Sequence, residues 1–322
     1  MTHERPTHSC RRCGRHQCAL GVGPHHARRS RHLDHVSRLP VAKFPALGDA
    51  IEAWRNDHGP LPKTAVFALA GPTGADEVRF TNSDWVVSAS AIQHRFGFSS
   101  VTLVNDFAAQ ARAIPANRPD EFETLIDGTA VAGAPMVVLG PGTGLGMAIL
   151  VPQENDWRVL ATEGGHQAYA PTSLREHEIL NFVRRDLDYV SYENLVSGLG
   201  LDRLYRAICA LDGVVARLKG GDEIGPSAIA GDDRRAVEAV EIMTLSLATF
   251  AGNAILSCGA KGGCVIAGGV SEALAPFLRT PAFKARLLHK GASSGYLDQV
   301  PVRRARDSFA ALEGAAFFAP KP

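Results

Sequence analysis

From Leu39 onward the chain alternates apolar runs with amphipathic stretches. Phe44, Leu47, Ile51 and Trp54 fall on one helix face. Residues 64–70 (TAVFALA) form a continuous apolar run closed by Gly71-Pro72, the pattern of a buried strand. The sequence predicts a short strand at 78–81 and a helix over 88–96 with Ser88 as its cap. A second buried strand, 100–104, runs straight into Asn105-Asp106, and the helix after it, 107–114, stops before Pro115. The second half repeats this rhythm. A strand at 135–139 enters a glycine-rich loop and returns over 147–151, and another at 158–162 ends at Glu163-Gly164-Gly165-His166. Helices are predicted over 174–186, 199–211 and 232–258, and a last strand, 262–267, meets Gly268-Gly269. Strands alternating with helices predict an α/β architecture with mostly buried sheets.

Composition adds exclusions and one asymmetry. With 322 residues, 45% apolar and 21% charged, the chain is long enough for two domains and is neither disordered throughout nor a disulfide scaffold. The absence of an apolar run of membrane-spanning length predicts no membrane partner, and the polar N-terminus predicts no signal peptide. Residues 1–38 carry eight Arg, no Lys and two acids (Glu4 and Asp34), a charge of +6 against +1 for the whole chain. This head also holds seven of the 12 His and three of the six Cys, and shows no helical or strand period. Cys10, Cys13, His16 and Cys18 cluster like soft zinc ligands, but no second ligand pair stands at a convincing spacing. A basic nucleic-acid arm would use Lys as well as Arg, and the balanced net charge gives no reason to expect nucleic acid as a partner. Cys209, Cys258 and Cys264 sit in apolar contexts and read as reduced core thiols, which predicts a cytoplasmic location.

The chemistry-bearing residues gather at strand ends, where α/β folds bind ligands. Gly140, Gly142, Gly144 and Gly146 alternate around Pro141, Thr143 and Leu145. That spacing is neither a Walker A loop nor a dinucleotide fingerprint. It suits amides pointed at an anion, with a tight hairpin turn as the alternative. Asp106, directly after an apolar strand, is either a helix cap or a catalytic base. Glu163 and His166 are too few for a metal site, and the glycines between them suit a polar cradle for a hydroxyl-rich ligand.

Taken together, LVNDFAAQARAIP (103–115), VVLGPGTGLGMAIL (137–150), EGGHQAYAP (163–171), SYENLVSGLGLDRLYRAI (191–208) and VIAGGV (265–270) closely resemble the bacterial glucokinase family, as does TNSDW (81–85). The motifs stand in the family's order over residues 39–322. The other bacterial sugar-kinase group, with its cysteine-rich zinc motif, is not matched. The resemblance implies a two-domain hexokinase/actin-like (ribonuclease H-like) fold with a cleft between a small and a large domain. The small domain would span 39–110, the large one 111–302, and a C-terminal helix at about 303–318 would return to the small one. It also implies transfer of the γ-phosphate of ATP, carrying Mg²⁺, to the 6-hydroxyl of glucose, and it suggests a homodimer. Asp106 then resembles the general base. Asn105, Asp106, Glu163, His166 and Glu193 resemble the sugar ligands. Gly140, Gly142, Thr143, Gly144 and Gly146 resemble a phosphate loop, and Gly268 and Gly269 the adenosine-side turn. A positioned carboxylate suits a poor alcohol nucleophile, and the rest of phosphoryl transfer is positioning and charge neutralisation.

One family motif is missing. The family opens with a strand ending in Asp-x-Gly-Gly-Thr-Asn-x-Arg, a first phosphate loop, and this chain has none. DNA encoding Asp-Val-Gly-Gly-Thr-Asn-Ala-Arg-Leu-Ala, translated from its third base, can spell Cys-Gly-Arg-His-Gln-Cys-Ala-Leu-Gly, which is residues 13–21. Residues 1–38 therefore read as the family's N-terminal segment out of frame. The expectation is an aberrant head that packs poorly and leaves sheet edges uncovered. The alternatives to an active glucokinase are a catalytically impaired sugar-binding or regulatory relative and a kinase for another hexose.

Overall fold

A computed structural model describes residues 7–11, 17–23, 34–69, 76–79, 85–154, 156–306 and 310–319. The chain divides into two compact units, 1–118 with 307–322, and 119–306. The divisions thus fall at 118/119 and 306/307, beyond those expected near 110 and 302.

In chain order the first unit contains β1 (Thr7–Arg11), β2 (Gln17–Gly23), β3 (Asp34–Pro40), α1 (Leu47–His58) and β4 (Thr64–Leu69). It continues with β5 (Glu77–Arg79), β6 (Val86–Ser88), α2 (Ala89–Phe96), β7 (Ser100–Asn105) and α3 (Asp106–Ala113). Its main sheet has the order β3-β2-β1-β4-β7. β1, β2 and β3 are antiparallel neighbours, while β1–β4 and β4–β7 are parallel. Every residue of β4 is buried, as an apolar run covered on both faces should be. Leu20, Leu47, Ile51, Trp54 and Phe67 share one core cluster.

The head thus contradicts the expectation of an unpaired segment. β1, β2 and β3 all pair, and β1 covers the edge of β4 through the register His8↔Ala65 to Cys10↔Phe67. The physical reason is that a ladder is made by main-chain groups that every non-proline residue carries, so an open parallel edge accepts a strand of unsuited composition. Cys13 and His16, half of the clustered soft ligands, lie outside the described residues, as do Gly71-Pro72 and residues 81–84.

The second unit contains β8 (Phe122–Ile126), β9 (Met136–Pro141), β10 (Leu145–Gln153), β11 (Asp156–Thr162), α4 (Leu174–Val183), α5 (Tyr192–Leu195) and α6 (Gly198–Leu211). Then come α7 (Gly220–Ala230), α8 (Arg234–Cys258), β12 (Gly263–Ile266), α9 (Gly269–Ala273) and β13 (Val302–Ala305). Its sheet order is β11-β10-β9-β12-β13-β8. β9, β10 and β11 are antiparallel, β9–β12 and β12–β13 parallel, and β8 closes the edge antiparallel to β13. The first five strands of that list repeat the order and sense of the first unit's sheet. α8, long and apolar enough to cross a membrane by length and composition, has 78% of its most apolar window buried inside the protein.

The C-terminal segment differs from expectation. Residues 302–305 are the strand β13, not helix, because the parallel edge of β12 takes them up. The helix that follows, Ala310–Ala316, packs on α3 and β1 in the first unit. Gly314 allows this approach: a Cβ there would lie 1.7 Å from the Ala109 carbonyl. Arg112, buried on α3, stacks over the Phe317 ring at 4.4 Å.

Candidate active site

In the first unit, β7 delivers Asn105 and Asp106 to a strand-to-helix junction. Asn105 is the cap of α3, and its Oδ1 accepts from the amides of Phe107 at 3.0 Å and Ala108 at 2.9 Å. Asp106 is the first helical residue and is half-buried. Asn105 thereby has a structural task beside the ligand role expected of it.

In the second unit, three predicted residues meet. Nε2 of His166 lies 3.8 Å from Oε2 of Glu163 and 3.8 Å from Oε1 of Glu193. These separations exceed a direct hydrogen bond. Glu163 is 70% exposed, His166 57% and Glu193 31%, so the constellation is open to a ligand.

The glycines between Glu163 and His166 serve packing rather than forming the cradle themselves. Residues 164–166 make a single 3-10 turn pressed on β10. A Cβ at Gly165 would lie 2.1 Å from the Leu145 carbonyl, and one at Gly164 would lie 2.3 Å from Sδ of Met147. At Gly165, where the neighbour is backbone, only glycine lets the turn sit this close, and that approach holds Glu163 and His166 on either side of it. Thr162 locks the entrance: its hydroxyl donates to the Met147 carbonyl at 3.0 Å and accepts from the Gly164 amide at 3.2 Å.

Glu193 rides on α5, a single turn capped by Ser191, whose hydroxyl accepts from the Asn194 amide. Its Oε2 accepts from the Leu145 amide at 2.8 Å. Ser197 donates to the Glu193 carbonyl at 2.8 Å. The glycine-rich segment is a tight hairpin, the alternative the sequence left open. Pro141 pairs with Leu145 and Gly140 with Gly146, leaving Gly142-Thr143-Gly144 as the turn. Gly142 donates to the Gly144 carbonyl and accepts from the Gly198 amide, both at 2.8 Å. Two amides of the segment, those of Gly142 and Leu145, are therefore already engaged within the protein, while Thr143 is exposed at the tip.

Gly268, with φ at +94°, turns the chain from β12 into α9 and lies against the hairpin. A Cβ there would meet the Pro141 carbonyl at 2.7 Å, whereas Gly269 faces open space. The two glycines differ in kind: the first is required by backbone and packing, the second by neither.

Sequence reasoning missed the residues behind these side chains. Tyr189 donates to the His166 carbonyl at 2.7 Å. The Tyr192 amide donates to the Gln167 carbonyl at 2.9 Å, and that of Tyr169 to Val190 at 2.9 Å. Glu176 is a buried carboxylate that accepts from the Thr172 amide at 2.7 Å and the Tyr169 hydroxyl at 3.3 Å, and pairs with Arg286 at 2.9 Å. Burial drives both Tyr169 and Tyr192 above the ordinary phenol range; the Tyr169 hydroxyl donates to Glu176, and that of Tyr192 accepts from Nδ2 of Asn253 at 3.3 Å. A polar residue inside an amphipathic helix is the only trace Glu176 leaves in the sequence.

A family model described as Glucokinase matches residues 21–322, a span that begins inside β2, upstream of the motif resemblance, and at the last residue of the stretch 13–21. A glucokinase of Chromobacterium violaceum is 37% identical over 285 residues, 88% of this chain and 82% of the relative. One of Chromohalobacter salexigens is 39% identical over 84% of this chain and 85% of the relative. The crystal structure of a glucokinase from an Antarctic psychrotroph superimposes with a TM-score of 0.84 at 30% identity, covering 97% of this chain and 98% of that one.

Proposed function

The chain belongs to the glucokinase family, and we propose that it transfers the γ-phosphate of ATP, bound with Mg²⁺, to the 6-hydroxyl of glucose. The observation that carries this reading is the open constellation of Glu163, His166 and Glu193 on a glycine-pinned frame. Two carboxylates and an imidazole spaced beyond mutual hydrogen bonding leave room for hydroxyls that each satisfy one of them. A sugar lacking a hydroxyl would leave one of these groups without its partner, which is how such a site discriminates.

In the proposed reaction Asp106 takes the proton of the 6-hydroxyl as its oxygen attacks the γ-phosphorus. The bond to the bridging oxygen breaks, and glucose 6-phosphate and ADP result. Asn105 holds the helix start that orients Asp106. The tip amides of Thr143 and Gly144 are assigned to the phosphates, and Gly269, where a side chain would meet nothing, to the nucleotide side. A cytoplasmic location and a homodimer belong to the same proposal.

A second reading, a sugar-binding relative with impaired catalysis, is favoured by the missing Asp-x-Gly-Gly-Thr motif in residues 1–38. Its companion is the frame hypothesis for residues 13–21, which the coding DNA tests: an alternative frame lacking a Gly-Gly-Thr loop rules it out. ATP- and Mg²⁺-dependent phosphorylation of glucose by the 322-residue chain separates the two functional readings. Turnover supports the kinase. Glucose binding without turnover supports the impaired relative, and absence of both overturns the glucose reading.

A further inference from the structure

We propose that Gly144 and the main-chain N–H of Leu145 form a seat for the Glu193 carboxylate, making the β9–β10 turn a sugar-positioning element and not only a nucleotide one. The proposal rests on the sugar-binding reading above.

The geometry is specific. Oε2 of Glu193 accepts from the Leu145 amide at 2.8 Å. A Cβ at residue 144 would lie 2.3 Å from that oxygen and 3.0 Å from the carboxyl carbon, closer than real side chains come. Gly144 does not occupy the left-handed region, and the atoms a Cβ would meet are all at the end of the Glu193 side chain, so an alanine there is accommodated by moving the carboxylate off its seat. Oε2 is thus committed to the main chain, and Oε1, 3.8 Å from His166, is left to accept a hydroxyl.

Leu145 is the hub of this arrangement. Its N–H faces Glu193, while its carbonyl is the atom against which Gly165 packs. One peptide segment therefore fixes both arms of the constellation, α5 and the 163–166 turn. The turn is tied to the α5–α6 connection a second time, by the bond from the Gly198 amide to the Gly142 carbonyl. The Leu145 bond, made to a carboxylate, is charge-assisted and stronger than the neutral main-chain bond from Gly198. A misplacement of about 1 Å in such a site costs on the order of a hundredfold.

The test combines selective ¹⁵N-leucine NMR with glucose titration in the absence of nucleotide, on the unmodified chain and on Gly144→Ala, Glu193→Asp and Glu193→Gln. The Leu145 amide proton is expected to move upfield in Gly144→Ala and Glu193→Asp and to stay near its place in Glu193→Gln, which can still accept the bond. The glucose dissociation constant is expected to rise roughly tenfold to a hundredfold in the first two and less in Glu193→Gln. Gly144→Ala should add nothing in a Glu193→Ala background.

An unchanged glucose affinity in Gly144→Ala with a raised KM for ATP would make the turn a nucleotide element alone and overturn the proposal. So would a Glu193→Gln defect larger than that of Glu193→Asp with an unmoved Leu145 amide, since charge and not seating would then matter. That Asp/Gln pair decides the matter alone if Gly144→Ala does not fold. If the Leu145 amide responds as expected while the unmodified chain binds no glucose, the seat stands. The glucose reading then fails, and the sugar role proposed for the turn is overturned with it.

Discussion

Two hairpins hold the same place in two sheets of the same topology. β1–β2 opens the first unit's sheet as β9–β10 opens the second's, each flanked by an antiparallel third strand and a parallel fourth. Their turn sequences differ. The β9–β10 turn is Gly142-Thr143-Gly144, with a steric reason for Gly144 and a carboxylate on the Leu145 amide. Between β1 and β2 the chain reads Arg12-Cys13-Gly14-Arg15-His16, with neither an acid nor a Gly-Gly pair. The difference teaches that pairing and chemistry have separate requirements. A strand is recruited by main-chain groups and an open edge, so the first hairpin pairs with unsuited residues. Phosphate handling needs particular side chains and glycines, which that hairpin lacks.

The largest expected effect tests whether the first unit contributes chemistry without its hairpin. Asp106→Ala should lower turnover by roughly a hundredfold to ten-thousandfold. Glucose affinity should fall far less, as read by single-turnover assay and titration on the same protein. Retained turnover would remove Asp106 from the mechanism.

The comparison sharpens if the first hairpin is given the chemistry of the family. Replacing residues 13–21 by Asp-Val-Gly-Gly-Thr-Asn-Ala-Arg-Leu should raise kcat by about a hundredfold, the scale of an added set of transition-state donors. Glucose affinity should stay unchanged. No gain in kcat would mean that the fold alone suffices at this hairpin.

The second unit should be less forgiving of a single methyl group. Gly165→Ala places a Cβ 2.1 Å from the Leu145 carbonyl. Overpacking of this kind costs about 1–3 kcal/mol, visible as a lower Tm, and should weaken glucose binding at the same time. An unaltered Tm would show that the turn can lift off β10 freely. In the first unit, Ser88→Ala removes the hydroxyl that accepts from the Ala91 amide at the start of α2. It should cost about 1 kcal/mol in chemical denaturation, with activity unchanged.

The smallest effect concerns acid. Hydrogen bonds from Arg279 first, then Arg304, hold Glu123 on β8 below the usual carboxylate range. A depressed folded-state value contributes stability above the unfolded value and loses it as pH falls through the folded one. Glu123→Gln should therefore lower Tm near neutrality. The gap to the unmodified chain should begin to narrow near about pH 4, where the unfolded carboxylate takes up its proton, and close only as pH falls through the lower folded value. A gap constant with pH would assign the effect to packing.

Much of this was legible in one dimension. β4, β7, α6 and α8 follow from apolar runs and helical periods, and Asn105, Asp106, Glu163 and His166 stand out because they interrupt such runs at strand ends. α7 was not legible, since Pro226 and three glycines obscure its period, and its stability comes from packing against α6 and α8. β8 and β13 escaped as well, because each is a short segment taken up by an edge that the rest of the sheet provides.

The sequence by itself placed the polar residues at strand ends and the longer buried strands and helices around them, since periodicity and strand-end position are local properties. Only the tertiary structure decided what the glycines are for. Gly144 admits a carboxylate, Gly165 a carbonyl and Gly314 a neighbouring helix. Gly165 and Gly314 face backbone carbonyls at separations too short for any side chain, Gly144 faces the movable end of a side chain, and no local pattern carries that information. The same holds for the head, whose composition excludes a strand by propensity and whose pairing is set by the open edge of β4.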